Sequence, residues 1–170
     1  MYNNFKYFLI IFFINLLSIH NTYSNEIFNF DVSEIEVTEN GNKIRGLNRG
    51  TITTNDGLII KADTFLYDRS FNNLNAKGGV KIEDKINKYY IYADSITYEK
   101  NKEIIITEGN SKIINFNNQT IFAKKIEYNK SSNVINAKGN VLINDPIENY
   151  EIEAESISYF KNQNKISTKG

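Results

Sequence analysis

Residues 121–143, IFAKKIEYNKSSNVINAKGNVLI, decide the fold of this 170-residue chain because their pattern recurs along its length. The pattern begins with an apolar residue, a small residue two positions later, an apolar residue three further on, and then a Tyr or Val. Its copies start 30, 31, 30 and 31 residues apart. The anchors of the five copies are Phe30, Val32, Ile35, Val37; Ile60, Ala62, Phe65, Tyr67; Ile91, Ala93, Ile96, Tyr98; Ile121, Ala123, Ile126, Tyr128; and Ile152, Ala154, Ile157, Tyr159.

The second part of the pattern, typified by Asn-Ala-Lys-Gly, recurs with the same period. Its copies run from Leu74 to Gly78, from Ile105 to Gly109, from Ile135 to Gly139 and from Ile166 to Gly170, so the glycines are 31, 30 and 31 residues apart. The earliest copy is degenerate beyond Ile44. A fixed period of this length indicates one structural unit that is stacked on itself.

Within each unit the apolar residues alternate with polar ones, as strands require. Leu74, Ala76, Val80 and Ile82 fall at even spacings with polar residues between them, and the stretch from Ile135 to Ile143 repeats this spacing. Polar stretches of hairpin length separate the half-units, for example residues 99–102 and 129–133. No stretch after residue 24 keeps an apolar spacing of 3.6 residues, so we expect little helix.

The first half of each unit contains a change of phase. Ile91 and Ala93 share one parity, whereas Ile96 and Tyr98 share the other, so a β-bulge or bend is expected between them. The predicted bends are at Asp94-Ser95, Asp63-Thr64, Lys124-Lys125 and Glu155-Ser156. The sequence therefore predicts an all-β, elongated antiparallel jelly-roll over residues 25–170, with an apolar trough inside and unpaired strand edges at its ends.

The first 24 residues have the composition of a cleaved signal peptide. Lys6 precedes an apolar run from Tyr7 to Leu17, which is shorter than the roughly 20 residues of a membrane-spanning helix, and Ser24 ends the segment. Without this segment the chain has 19 basic and 20 acidic residues in scattered positions. That balance argues against a nucleic-acid partner. The chain contains no cysteine, so apolar burial and strand pairing have to stabilise the exported protein without disulfides.

Several kinds of catalytic chemistry are excluded by composition. With no Cys, and no His after residue 24, the mature chain has no Cys-His pair, Ser-His-Asp triad or His-containing zinc site. Asp63, Asp94 and Glu155 occupy equivalent repeat positions, which spreads them along the stack instead of across a cleft. We therefore predict no enzyme activity, no metal and no cofactor. The four repeated tyrosines could form a sugar-stacking ladder, but core packing is the favoured interpretation.

The repeated pattern Ile-x-Ala-Asp-x-Ile-x-Tyr followed by Asn-Ala-Lys-Gly-Asn-Val resembles the OstA-type periplasmic domains of bacterial lipopolysaccharide transport, the LptA-LptD family. The residues that carry the resemblance are 91–98, 74–80 and 135–141. Within the family, the segment from Phe30 to Gly57 is most similar to the amino-terminal periplasmic domain of the outer-membrane protein LptD. Two departures are the absence of the strands of a membrane barrel and of the cysteines of many members, so the chain could be a fragment, a truncated product or a stand-alone member.

The resemblance implies a twisted jelly-roll in the periplasm that shields the acyl chains of lipid A and passes lipopolysaccharide toward the outer membrane. It also implies end-to-end strand addition to similar domains, and an outer-membrane barrel as a further partner. By parity, the residues expected to line the lipid groove are Phe65, Tyr67, Leu74, Ile96, Tyr98, Ile105, Ile126, Tyr128, Ile135, Val141, Ile157 and Tyr159.

Two other functions remain open from the sequence alone. An exported structural or adhesive β-solenoid would carry the same inward apolar stripe around a closed core without lipid. A carbohydrate-active enzyme on a β-helix would need clustered acids, with Asp94 the first residue to test. The sequence does not separate an open trough from a filled core, because both need the same stripe.

Overall fold

The computed structural model describes residues 28–169, and the predicted signal peptide and Gly170 lie outside the described residues. These residues form eleven strands, and their helical content is limited to three 3-10 turns of three residues each. The strands are Phe28–Thr38 (β1), Lys43–Thr54 (β2), Leu58–Ala62 (β3), Thr64–Asp68 (β4), Asn73–Asp84 (β5), Tyr89–Glu99 (β6), Ile104–Asn115 (β7), Thr120–Asn129 (β8), Val134–Asp145 (β9), Tyr150–Phe160 (β10) and Lys165–Lys169 (β11).

All eleven strands belong to one antiparallel sheet that follows the order of the chain. Each strand pairs with the next from β1 to β11, except that β3 and β4 are two parts of one strand interrupted at Asp63, and both pair with β2 and β5. This confirms the predicted all-β jelly-roll of two-strand repeats. No helix within residues 28–169 has the length and apolarity to span a membrane.

A line of bulges crosses the sheet and creases it. In six strand pairs the register shifts once, by one residue. In four of them one residue lies opposite two, and in the β6–β7 and β8–β9 pairs two residues lie opposite three. The single residue in β6 is Asp94, so the predicted bends are confirmed. The two opposing residues have positive φ, which favours Gly and Asn; the pairs are Asn48 and Arg49, Gly78 and Gly79, Gly109 and Asn110, and Gly139 and Asn140.

The crease explains one difference from the sequence prediction. The spacing of Leu74, Ala76, Val80 and Ile82 suggested an uninterrupted strand, yet Gly78 and Gly79 form the bulge in its middle. Gly78 and Gly79 together occupy the two positions between Lys77 and Val80, so the inward residues keep their even spacing and parity alone does not reveal the bulge. The degenerate first copy also follows the fold, because Gly46, Gly50 and Ile52 in β2 stand 30 residues before Ala76, Val80 and Ile82.

The crease divides the sheet into two leaves that face each other. We call residues 34–47, 64–77, 95–108, 125–138 and 156–169 the lysine leaf, and residues 28–32, 50–62, 80–93, 111–123 and 141–154 the aspartate leaf. Their inward side chains form a single apolar core. Aromatic edge contacts join the leaves, with ring centroids 4.6 Å apart for Phe28 and Tyr67 and 5.2 Å for Tyr89 and Tyr128.

The leaves are staggered along the chain. Tyr98 of the lysine leaf contacts Asp56 of the aspartate leaf, 42 residues earlier, and Tyr128 contacts Asp84, 44 residues earlier. With this offset the first strand of the lysine leaf has no described strand opposite it. Ile35 and Val37 point inward beside Gly46 and Ile44 but remain 50% and 58% exposed.

Candidate functional site

All twelve residues that parity assigned to the groove point into the apolar core. Each is buried, and six of them, Leu74, Tyr98, Ile105, Ile126, Tyr128 and Ile135, have no exposed surface. Their inward orientation follows from strand alternation on either side of the crease. The structure therefore brings the whole set together along one interior.

These twelve residues form mainly one wall. Eleven lie in the lysine leaf, and only Val141 belongs to the aspartate leaf. The opposite wall is made by buried residues that the sequence-based selection omitted. They are Ile52, Leu58, Ile60, Ile82, Tyr89, Ile91, Ile113, Ile121 and Ile143. Ile60, Ile91 and Ile121 are themselves anchors of the repeat, so the same pattern already marked them as inward residues, but they were not in the predicted groove.

We call the edge of each leaf that carries its turns, away from the crease, the lip of that leaf. The two lips are joined by a polar cluster around Asp56, which lies in the turn between β2 and β3. Lys130 donates from Nζ to Asp56 Oδ2, and Tyr98 donates from its hydroxyl to the same oxygen at 2.7 Å. Lys100 Nζ lies 3.1 Å from Oδ1. Lys130 is only 7% exposed, so an ammonium group is buried at the edge of an apolar core. We call these four residues the Asp56 cluster.

The electrostatics of the Asp56 cluster follow from its contacts. Burial would raise the pKa of Asp56, but the hydrogen bonds from Lys130 and Tyr98, together with the nearby Thr54 hydroxyl and Lys100 ammonium, outweigh it and hold the pKa well below the ordinary value of 3.8. Burial, followed by the hydrogen bond to Asp56, raises the pKa of Tyr98 far above its usual value. At neutral pH the cluster therefore holds an ionised carboxylate and a neutral phenol.

A second contact closes the lip one repeat further on. The Tyr128 hydroxyl donates to Oδ2 of the buried Asp84 at 3.3 Å. Lys161 donates from Nζ to the backbone oxygen of Asn87 at 2.8 Å, and that ammonium lies 4.6 Å from the ring centroid of Tyr89. Burial lowers the pKa of Lys161. In this conformation the middle of the interior is a filled core with closed lips.

The cations of these contacts follow the repeat, although they were not among the residues predicted for the site. Arg69, Lys100, Lys130 and Lys161 stand two residues after the four repeated tyrosines, 31, 30 and 31 residues apart. Three of them reach across the lip, whereas Arg69 donates to the backbone oxygen of Gly41. A search for repeated charges beside the apolar anchors would have found them.

The acids at the crease do not form a catalytic pair. Asp63 pairs with Arg49 and Asp94 accepts a hydrogen bond from Asn110, both on the exposed outer side of the crease. Within residues 28–169 there is no group of three or more His, Cys, Asp or Glu side chains suited to a metal ion. These positions act as polar residues of the bend, as the favoured interpretation predicted.

The interior is incompletely covered at both ends of the sheet. At the β1 end Ile35 and Val37 are exposed on the inward side. At the β11 end Ile152, Ala154 and Ile166 are only partly buried although each faces inward beside a core residue. β1 and β11 also have no further partner strand among the described residues. Each end thus combines a free strand edge with uncovered apolar side chains.

Comparison with known proteins finds a likeness in structure and none in sequence. No protein-family model matches the chain, and no curated protein matches it either. Among solved structures, the chain is similar to the crystal structure of LptH, the LptA-homologous periplasmic component of the lipopolysaccharide transport device of Pseudomonas aeruginosa. The TM-score is 0.60 at 15% identity, over 66% of this chain and 82% of that chain. This likeness establishes an LptA-like β-jelly-roll fold.

Proposed function

We propose that this protein is a lipopolysaccharide-transport module that shields the acyl chains of lipid A between its two leaves. The observation that carries the proposal is a continuous apolar interior in a fold shared with LptH, and within residues 28–169 this interior is only partly covered at both ends of the sheet. Acyl chains need a long surface that excludes water, and the inward faces of the leaves offer one. The sugar headgroup would remain in water at the lips.

The proposal includes an exported, non-enzymatic domain. Residues 25–170 would form the mature protein in the periplasm after removal of residues 1–24. Shielding and transfer break no covalent bond, so the function needs neither a catalytic constellation nor a cofactor. The twelve inward residues of the predicted groove would contact acyl chains together with the opposite wall in the aspartate leaf.

The ends support assembly with similar domains. A free strand edge can pair with the edge of another copy, and the exposed Ile35 and Val37 would be covered by the partly exposed side chains of a neighbour's last strands. Such addition would extend both the sheet and its apolar interior. A row of domains would then form a continuous path for lipid.

A finer proposal places the chain beside the outer membrane. It rests on the repeat pattern alone: the pattern from Phe30 to Gly57 resembles that of the amino-terminal periplasmic domain of LptD, and a role in outer-membrane assembly with a barrel as partner would follow from it. The fold of LptH, a periplasmic component, supports the other form of the proposal, a stand-alone periplasmic member with the same function. Co-purification with an outer-membrane barrel would distinguish the two forms.

Site-specific photo-crosslinking tests the proposal in cells that make lipopolysaccharide. A photoreactive amino acid replaces Ile126, which faces the core, or Lys138, which is exposed on the outside one residue beyond the strand partner of Ile126. We expect a lipopolysaccharide adduct at Ile126 and none at Lys138. The two positions belong to neighbouring strands, so they differ mainly in the face of the sheet that they occupy.

The absence of an adduct at Ile126 in a folded, exported protein would contradict the proposal. That result would favour a structural or adhesive solenoid with a permanently closed core. Equal adducts at both positions would also count against an interior path, because they would indicate lipid bound on the outer surface.

A further inference from the structure

We infer that the Asp56 cluster is a phosphate-responsive latch: a phosphomonoester on the headgroup of an acylated amphiphile binds Lys100 and Lys130 in place of Asp56 and thereby separates the two lips. This inference deepens the proposed function and rests on it. It adds a recognition site for the headgroup and couples headgroup binding to entry of the acyl chains.

The Asp56 cluster contains more positive than negative charge. Among the described residues, Asp56 is the only carboxylate within ion-pair distance of Lys100 or Lys130, so two ammonium groups share one negative charge. A phosphomonoester carries about −1.5 to −2 charges near neutral pH and has three acceptor oxygens. It therefore matches two lysines better than a single carboxylate does, and lysine is a common phosphate ligand.

The Asp56 cluster lies where the turns of the two leaves meet. Lys100 and Lys130 lie in turns of the lysine leaf, whereas Asp56 lies in a turn of the aspartate leaf, 74 residues before Lys130. The contact therefore joins the two lips directly. The Asp56 and Lys100 side chains are 18% and 13% exposed, so an anion can reach them from solvent. Once Asp56 is displaced, Tyr98 loses its hydrogen-bond acceptor as well.

Closing an apolar core with an ion pair costs desolvation free energy. Well-packed apolar residues often stabilise such a position as well as or better than a buried ion pair. A contact that has to open again needs a partner that can be replaced. A competing anion can replace Asp56 as the partner of the lysines, so the lysines are never left unpaired. Lys130 would exchange one anionic partner for another, whereas an apolar contact offers no such exchange.

The lysine of the contact recurs in the next repeat. Lys161 occupies the next equivalent position and ties the lysine leaf to Asn87 through a backbone oxygen, which carries no formal charge. The two contacts lie along the same lip, one repeat apart. A headgroup with two phosphates could engage Lys100 and Lys130 first and then Lys161. Opening would then proceed along the lip in the direction of β11.

Distance measurement between two spin labels tests the latch. The chain has no cysteine, so Asn55→Cys and Ser131→Cys, both exposed and adjacent to Asp56 and Lys130, place one label on each lip. The full chain is titrated with lipid A, with phosphatase-treated lipid A, and with inorganic phosphate. We expect lipid A to shift the distance upward, and treated lipid A to need on the order of ten times more lipid for the same shift, a loss of about 1.4 kcal/mol.

The variants separate a phosphate latch from a purely structural contact. Asp56→Asn keeps both lysines and removes their competitor, so it should lengthen the distance without ligand and bind phosphate more tightly. Lys130→Gln with Lys100→Gln should also lengthen the distance but lose the preference for phosphorylated lipid. Lys138→Gln, on an exposed outer position, is the matched control and should leave both readouts unchanged. Circular dichroism checks folding, and the single Lys100→Gln variant replaces the double one if that variant unfolds.

Each outcome decides the question. Equal shifts with both lipid forms would overturn the latch while leaving the proposed lipid shielding intact. Failure of both lipid forms to bind would overturn the proposed function as well. A shift with inorganic phosphate alone would support the phosphate site and make free phosphate its ligand, whereas a shift with lipid A only would make the headgroup its ligand. Weaker phosphate binding by Asp56→Asn would contradict the exchange of partners.

Discussion

The middle and the β1 end of the molecule contain the same repeat in two different environments. Ile126 and Ile35 occupy equivalent positions and both point inward, yet Ile126 has no exposed surface and Ile35 is 50% exposed. The difference arises because the lysine leaf packs on strands of the aspartate leaf that precede it by about forty residues. Burial at a repeat position therefore depends on the opposite leaf and not on the strand that carries it.

The middle and the β1 end also differ in whether polar side chains join the two leaves. In the middle, the Asp56 cluster and the contact between Tyr128 and Asp84 join the lips. At the β1 end the lysine leaf extends beyond its cover, and the inward face of its first strand meets solvent. The middle is thus closed by polar side chains, whereas the inward apolar residues at the β1 end have no such contact among the described residues.

The largest expected effect comes from truncating the two equivalent isoleucines. Ile126→Ala should lower the free energy of unfolding by about 2–5 kcal/mol, because it leaves a cavity in a closed core. Ile35→Ala should cost less than about 1 kcal/mol, since half of that side chain is already exposed. Urea denaturation followed by far-ultraviolet circular dichroism measures both. Similar losses for the two variants would contradict the staggered packing.

Breaking the lip contact should have the next largest effect. Asp56→Asn leaves two largely buried lysines without their anion, and a loss of about 1–3 kcal/mol is expected at neutral pH. Asp63→Asn removes an acid whose ion pair with Arg49 is exposed, so a change below about 1 kcal/mol is expected. Equal losses for both substitutions would show that the Asp56 cluster does not stabilise the closed middle.

The Asp56 contribution should also depend on pH in a defined direction. Its pKa is lower in the folded protein than in the unfolded chain, so its stabilising contribution is present above the ordinary pKa and is lost as the pH falls below about 4. The stability difference between the unsubstituted protein and Asp56→Asn should therefore be largest near pH 7 and shrink in acid. Denaturation of both proteins from pH 7 to pH 3 measures it, and a constant difference would argue against an ionised Asp56.

A smaller loss of stability is expected from substitutions at the crease. The crease contains different residues in the middle of the sheet and at the β1 end. Gly109 has φ of 74° and lies against Asp94, so Gly109→Ala should cost roughly 1–2 kcal/mol from the left-handed backbone, and Asp94 would have to move. The equivalent residue at the β1 end is Asn48, which already has a side chain at φ of 60°. Asn48→Ala should cost no more than about 1 kcal/mol in thermal unfolding, and the reverse order would contradict the proposed packing at the crease.

The smallest effect is expected for an ion pair on the outside of the middle region. Glu108 and Lys125 face each other across β7 and β8 with both side chains more than half exposed. Glu108→Gln should change stability by about 0–1 kcal/mol, and added salt should reduce that change further. A larger, salt-insensitive loss would show that the outer face of the lysine leaf contributes to the closed state.

Much of the fold could be predicted from local sequence. Alternation predicted the strands, the polar stretches predicted the hairpin turns, and the phase change between Ala93 and Ile96 placed the bulge at Asp94. Parity also assigned the inward face of all twelve groove residues correctly. Their contact with lipid stays a prediction. These successes share one cause, since the direction of a strand side chain depends on residues next to it in the chain.

The lip contacts could not be predicted in the same way. Lys130 and Asp56 are 74 residues apart, and although each is the one charged residue of its turn, nothing in either turn indicates the other as its partner. Their meeting depends on how far one leaf is displaced along the other, a quantity that accumulates over several twisted strands. The missing wall of the groove has the same origin, because only the pairing of leaves shows which inward residues oppose each other.

By itself, the sequence determined the period of the repeat, the antiparallel strands, the position of the crease and the inward apolar stripe. Each of these depends on interactions between residues close in the chain or in adjacent hairpins. Only the tertiary structure decided that the two leaves are staggered, that the middle is closed by the Asp56 cluster and that the ends remain uncovered. The physical reason is that strand patterning is local, whereas leaf packing sums the twist and register of the whole sheet.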